Sequence, residues 1–234
     1  MTWRDLCFLH WPVAPDALRD LIPPGLEIDT FDGSAWIGVV PFEMRDTRFI
    51  RLPAVPGTRH FPELNLRTYV RGPERAGVWF FSLDAASRLA VRGARATFAL
   101  PYFDATMKID REGDAVRYRS ERRSAFGAPP ARFVGGYRPI GPVETSRDGT
   151  LEHFLTERYC LFAQAGYGVP RSLRRGLVRG DIFHDPWPLQ QAECELEACD
   201  MFRLARMDAP SGEPLAHFAR EIRVEAWAPI RIDV

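Results

Sequence analysis

Glu63, Asn65, Arg67 and Tyr69 stand at every second position of one short segment and are the residue types of this chain best suited to act together. A period of two puts them on one face of an extended strand, with Leu64, Leu66, Thr68 and Val70 on the other. On such a face Arg67 can clamp a carboxylate bidentately, and Asn65 and Tyr69 can donate hydrogen bonds that fix its orientation. Glu63 can act as a base once burial raises its pKa. The same alternation also describes the wet face of an antiparallel sheet, and the pattern alone leaves both readings open. Two features weigh against plain solvent. Asparagine is a poor strand former, and aromatic runs flank the segment at Phe61 and at 78–81.

A further titratable group, His184, lies in Phe183-His184-Asp185-Pro186-Trp187-Pro188-Leu189, where proline stiffens the chain beside a carboxylate. It can serve as a general acid or base, or it can hydrogen-bond the loop backbone while Trp187 plugs the core. His10, in His10-Trp11-Pro12, carries the same ambiguity. Lys108 is the only lysine, and imine chemistry would need it desolvated. Period-two spacing instead puts it on an outer face with Thr106 and Asp110, in an exposed ion pair with Asp110. The sequence has no phosphate loop, dinucleotide fingerprint or nucleophile elbow, and no two of its five histidines share the helical spacing of metal ligands. Neither a cofactor nor a metal is implied.

The elements that must position these residues are mixed. Residues 15–22 carry Leu18, Leu21 and Ile22 at helical spacing and stop at Pro23-Pro24-Gly25. Residues 26–30 and 36–42 read as strands of a hairpin turning at Asp32-Gly33. The stretch from Arg45 to Phe61, rich in proline and arginine, reads as a loop placed to act as a lid. After the strand at 63–70 comes an apolar one at 78–83, and Asp84 opens a helical pattern through about Phe98. A hairpin joins 105–110 to 115–121. Thr150 caps a helix whose stripe runs Leu151, Phe154, Leu155, Tyr159 and Phe162, ended by Gly166, Gly168 and Pro170. Strands return at 192–198 and 218–227. Strands on both sides of the helices, without a regular strand-helix-strand rhythm, predict one α+β domain over residues 1–234. Its sheet should be a mostly antiparallel, strongly curved or closed β-barrel with a few flanking helices.

With 234 residues, 46% of them hydrophobic, the chain buries a sizeable core without disulfides or metals. Its 31 basic residues balance 31 acidic ones, which removes the positive field that nucleic acid partners need. No run approaches the roughly 20 apolar residues of a membrane helix, and the first residues lack the apolar segment of a secretory signal. The expectation is a cytoplasmic protein with no membrane partner. Cys7, Cys160, Cys194 and Cys199 include no Cys-x-x-Cys pair and read as free thiols. Self-association into a homo-oligomer stays open.

The chain resembles the YqjF-like bacterial family, which is related to the acetoacetate decarboxylase superfamily. The resemblance runs through Leu9-His10-Trp11-Pro12, Phe31-Asp32-Gly33, the segment 61–70, Phe80-Phe81-Ser82-Leu83-Asp84-Ala85, Leu100-Pro101-Tyr102-Phe103, the segment 151–159 and Pro186-Trp187-Pro188-Leu189. It implies a cone-like β-barrel around a pocket, in which the decarboxylases use one of two adjacent lysines to form an imine with a 3-oxo acid. In the similar stretch Ala99-Leu100-Pro101-Tyr102-Phe103, Tyr102 and Phe103 replace both lysines, so the resemblance implies imine-free chemistry. It also sets Glu63 at about the place of the decarboxylases' pocket glutamate, which favours the pocket reading of the stripe. The expectation is a protein that binds a small organic acid or carbonyl compound in an internal barrel pocket. Arg67 would hold an anionic oxygen, Asn65 and Tyr69 would set orientation, Tyr102 would fill the lysine position, and Glu63 or His184 would move a proton. As an enzyme, of lyase or isomerase type, it would catalyse enolisation, hydration or dehydration. One alternative is a non-catalytic small-molecule sensor or carrier, and another is an interaction protein whose stripe is solvated surface.

Overall fold

The computed structural model describes residues 1–47, 59–98, 100–123, 129–164 and 176–232. Thirteen strands dominate them: β1 (Thr2–Val13), β2 (Glu27–Ile28), β3 (Ala35–Arg45), β4 (His60–Arg71), β5 (Ala76–Ala85), β6 (Tyr102–Glu112), β7 (Ala115–Arg122), β8 (Ala131–Glu144), β9 (Cys160–Gln164), β10 (Leu177–His184), β11 (Leu189–Cys199), β12 (Leu215–Ala226) and β13 (Ile230–Ile232). Three α-helices, α1 (Asp16–Arg19), α2 (Arg88–Phe98) and α3 (Leu151–Thr156), and a 3-10 turn at Met201–Ala205 lie between them. Among the described residues, no helix is long and apolar enough to cross a membrane.

The strands form one sheet in the order β13-β10-β9-β5-β6-β7-β8-β11-β12-β1-β3-β4-β2, and two further pairings, β4 with β5 and β10 with β12, bend it back on itself. Five strands, β12-β1-β3-β4-β5, therefore make a wall whose two outer strands fork. β5 pairs with β9 at Val78 and Trp79 and with β6 at 83–85. β12 pairs with β11 at 217–219 and with β10 at 224–226. β9 and β10 close over one face of the wall, and β6, β7, β8 and β11 close over the other.

Period-two alternation along the wall feeds two cores. Phe8, Trp36, Val40, Phe42 and Tyr69 enter one, with Tyr102, Leu155 and Trp187. Leu9, Ile37, Val39, Leu64 and Leu66 enter the other, with Tyr118, Phe133 and Phe218. Covering both faces explains why β4 is buried at every position from Glu63 to Val70.

The curved, closed, mostly antiparallel sheet is the one the sequence predicts, although it forms two linked circuits of strands in place of one even barrel. The outer face of Lys108 is as expected, with a 2.7 Å exposed ion pair to Asp110, and all four cysteines are free. Local differences have identifiable causes. The helix at 15–22 shortens to the four residues of α1. β2 pairs with β4, not with β3, and only a single bridge from Phe31 to Ser34 remains of the expected hairpin. Asp84 belongs to β5, because its carboxylate is consumed by a buried partner on β7, and the following helix begins at Arg88. Thr150 does cap α3, accepting from the His153 N–H at 3.3 Å, but the helix stops at Thr156. Cys160 to Gln164 are extended, and Phe162 packs where Gly72 and Gly77 leave room for its ring. The expected lid falls mostly on residues 48–58, and Gly166, Gly168 and Pro170 also lie outside the described residues.

Candidate functional site

Because β4 is flanked by β3 and β5 and covered on both faces, its polar stripe lies inside the molecule. Glu63 is 2% exposed, Asn65 5%, Arg67 8% and Tyr69 0%. Polar groups buried to this degree must find partners or carry a desolvation cost. Tyr69 is fully supplied. Its hydroxyl donates to the Leu155 carbonyl of α3 at 2.7 Å, accepts from Arg67 Nη2 at 3.2 Å and lies 2.6 Å from His10 Nε2. A hydroxyl-carbonyl contact of 2.7 Å requires the single phenolic proton, so the contact with His10 must be made by a proton on Nε2. His10 is thereby fixed as the Nε2–H tautomer with a bare Nδ1, and that Nδ1 has no partner. Burial first, then the charges of Arg67 and His217, hold its pKa well below the usual imidazole range.

Arg67 differs from its neighbours. Arg158 is paired to Asp29 at 2.7 Å and Arg122 to Asp84 at 2.9 Å, whereas no carboxylate among the described residues is within ion-pair distance of Arg67. Its Nη2 donates to Leu155 O at 3.1 Å, its guanidinium lies 5.2 Å from the Phe8 ring centroid, and its Nε–H has no partner. The fork expected to clamp a carboxylate is thus half engaged by the protein, with Nε left open. Gly38 makes this arrangement possible. It stands between His10 and Arg67 in register, and a Cβ there would meet His10 Cδ2 at 2.9 Å and Arg67 Cγ at 3.5 Å.

Glu63 is met from β6. The Tyr102 hydroxyl donates to Glu63 Oε2 at 3.1 Å, and the Glu63 backbone carbonyl accepts from Tyr118 at 2.7 Å. Burial pushes the Glu63 carboxyl up to about 8, against the Tyr102 hydrogen bond and with help from the charge of Asp84. Burial and the neighbouring Glu63 charge push Tyr102 well above the usual phenol value, so it stays a donor. Asn65 Oδ1, His217 Nδ1 and Trp187 Nε1 are further buried atoms without a partner. His217 lies opposite Phe8 on β12, and Trp187 packs edge-on against Phe8 with centroids 4.9 Å apart.

His184 is not brought to this group. Its Nδ1 lies 2.8 Å from Asp185 O and its Nε2 3.4 Å from Arg158 O, and its ring stacks on Tyr159 at 4.6 Å. Trp187 stands between it and Phe8, 5.0 Å from the imidazole. His184 instead helps to line an open surface cleft of about 610 Å³ with Arg75, Tyr159, Asp181, Asp185 and Trp227.

Sequence reasoning gave His10 less weight than it has here, and passed over His217 and the Asp84–Arg122 pair. A signal existed for the last. Val116, Tyr118, Ser120 and Arg122 alternate strictly, and continuing that alternation puts Arg122 inside, where it is 2% exposed.

The model of the DUF2071 family, described as an uncharacterized conserved protein, matches residues 1–223. The "Uncharacterized protein YqjF" of Bacillus subtilis (strain 168) is 44% identical over 230 residues, covering 98% of this chain and 90% of that one. Among solved structures, the enduracididine biosynthesis enzyme MppR complexed with pyruvate superposes with a TM-score of 0.65 at 14% identity, over 98% of this chain and 88% of that one. An acetoacetate decarboxylase-like enzyme from Sphingomonas wittichii RW1 gives 0.65 at 16% identity, over 99% and 92%. The acetoacetate decarboxylase of Legionella pneumophila gives 0.59 at 14%, over 98% and 88%.

Proposed function

This chain belongs to the DUF2071 family and has an acetoacetate decarboxylase-like fold, and we propose that it binds a small organic acid or carbonyl compound against the buried face of β4. The observation that carries this reading is Arg67, a guanidinium 8% exposed with no carboxylate partner among the described residues and an unpartnered Nε–H. An uncompensated buried cation costs on the order of several kcal/mol, and an anionic oxygen accepting from Nε offsets that cost. In this reading Arg67 anchors the anion, Tyr69 holds Arg67 in place, and Asn65 sets the ligand's orientation. Glu63, its carboxyl raised to about 8 and held by Tyr102, takes a proton from the carbon next to the carbonyl in its ionised form and returns one in its protonated form. That supports lysine-free enolisation, hydration or dehydration. The similarity in fold to an enzyme complexed with pyruvate supports a ligand of that size. His184, with Nδ1 2.8 Å from the Asp185 carbonyl oxygen and its ring stacked on Tyr159, positions the Trp187 loop.

A thermal-shift screen of pyruvate, acetoacetate and phenylpyruvate on the wild type and on Arg67→Leu tests this. Ligand at a hundredfold excess over Kd adds about 2.7 kcal/mol to stability. At least one acid should raise the wild-type midpoint and leave folded Arg67→Leu unmoved. No shift with any acid overturns the reading. Glu63→Gln separates enzyme from carrier: an enzyme keeps the shift but loses catalysed deuterium exchange at the carbon next to the ligand's ketone carbonyl, whereas a carrier shows no catalysed exchange in either form.

A further inference from the structure

The second core, on the far side of the wall from the acid site, holds two thiols in contact. Cys7 and Leu9 turn to this core from β1, and alternation on β11 turns Ala192, Cys194 and Leu196 to it while Glu193, Glu195 and Glu197 stay exposed. β12 separates the two strands at Phe218, which stands opposite both Cys7 and Gln190. Four positions further on, β11 has left β12 for β8, and Cys194, opposite Tyr137, packs against the core. The Cys7 and Cys194 side chains thereby meet in a hydrogen bond. We propose that Cys7 and Cys194 are a peroxide-sensitive dithiol, in which a hydroperoxide oxidises Cys194 and Cys7 closes on it to form an internal disulfide between β1 and β11.

Exposure and charge assign the two roles. Cys194 is partly exposed whereas Cys7 is fully buried, so an oxidant arriving from water meets Cys194 first. The hydrogen bond from Cys7 lowers the pKa of Cys194, against burial and the charge of Glu195, and burial together with the same bond raises Cys7 well above the usual thiol range. Burial pushes Cys199 up to about 12 and Cys160 up to about 11. Since the thiolate is the nucleophile in thiol oxidation, Cys194 attacks and Cys7 resolves. The Cys194 thiolate attacks one oxygen of the hydroperoxide; an S–O bond forms, the O–O bond breaks, and the other oxygen takes up a proton and leaves as water or an alcohol. Cys194 is then a sulfenic acid, oxidised by two electrons while the peroxide is reduced by two. The Cys7 sulfur next attacks the Cys194 sulfur; an S–S bond forms, the S–O bond breaks, and hydroxide leaves as water with the Cys7 proton. The new bond ties β1, which carries Phe8 and His10 on its other face, to the strands that cover the second core.

Peptide mapping tests the proposal. The reduced full-length protein is treated with hydrogen peroxide under native conditions, its remaining thiols are alkylated in denaturant, and it is cut with trypsin and a glutamate-specific protease, which separates Cys194 from Cys199 at Glu195 and Glu197. Mass spectrometry should find the Cys7 peptide joined to the Cys194 peptide and released by dithiothreitol. Cys199→Ser should keep that link. In Cys7→Ser the sulfenic acid has no resolving thiol, and dimedone should label Cys194 about tenfold or more above Cys160 and Cys199. The wild-type map decides even if Cys7→Ser fails to fold. A map in which Cys194 is oxidised while Cys7 stays a free thiol, one in which Cys194 is joined to Cys199, or one in which all four thiols stay reduced overturns the proposal.

Discussion

Glu63 is the residue whose environment most changes its chemistry, and that change has a consequence for stability. Its carboxyl titrates near 8 in the fold against 4.5 in an ordinary setting. Between those values the folded state holds a proton that the unfolded chain has lost, so the Glu63 contribution is fully present below about 4.5 and falls away as pH rises to 8. Asp84, raised to about 7 by burial in spite of Arg122, acts in the same direction. His10 and His217, both lowered chiefly by burial, act oppositely, and their contribution is lost as pH falls below about 6.5. Urea unfolding of wild type and Glu63→Gln at pH 5 and pH 8 isolates the Glu63 share. Between the two pH values the wild type should lose a few kcal/mol more than the variant, since each unit of pKa difference is worth about 1.4 kcal/mol. Parallel profiles would mean that Glu63 is ionised in the fold. At this scale the stripe was legible because residue type and period two are local properties. The open Nε of Arg67 was not, because it depends on α3 supplying the Leu155 carbonyl from 88 positions away.

Elements were legible where apolar and polar residues alternate cleanly, as in β4 and β7, and hidden where glycine and proline interrupt the pattern. β8 contains Gly135, Gly136, Pro139, Gly141 and Pro142 yet runs for 14 residues between β7 and β11. β1 was hidden for another reason: with both faces buried, its apolar run lacks the contrast that marks a strand. The aromatic spacing at 154–162 imitates a helical stripe, although a helix and a strand share it. Gly38 links elements to site, since β1 and β4 can present His10 and Arg67 side by side only if β3 has no side chain there. Gly38→Ala should lower stability by about 1–3 kcal/mol and weaken the acid-dependent thermal shift. Gly136→Ala is the control, because its added Cβ would meet nothing nearer than the Val116 carbonyl oxygen at 4.0 Å. Equal midpoints and equal ligand shifts in the two variants would contradict this role for Gly38.

For the whole molecule, a single wall covered on both faces takes the polar stripe out of solvent. The sequence predicts a curved or closed antiparallel sheet from strand count and lack of helical rhythm, and the closure is observed. It does not reveal that β5 and β12 fork, because forking depends on which partner each half of a strand meets. The site draws on β1, β4, β6, β12 and α3, with contacts such as His10 to Tyr69 and Glu63 to Tyr102 spanning 59 and 39 positions. No local pattern encodes such convergence. The central claim is that this convergence buries the Arg67 guanidinium with an unpartnered Nε–H and no carboxylate partner among the described residues, and that an anion binds there. The most direct test follows the arginine Nε–H resonances of 15N-labelled protein, with Arg67→Leu assigning the Arg67 signal, during titration with the acid that shifts the thermal midpoint most. The account predicts that the Arg67 Nε–H resonance moves downfield in a saturable way while the Arg122 and Arg158 signals hold. An Arg67 resonance that stays in place as the acid binds would contradict it.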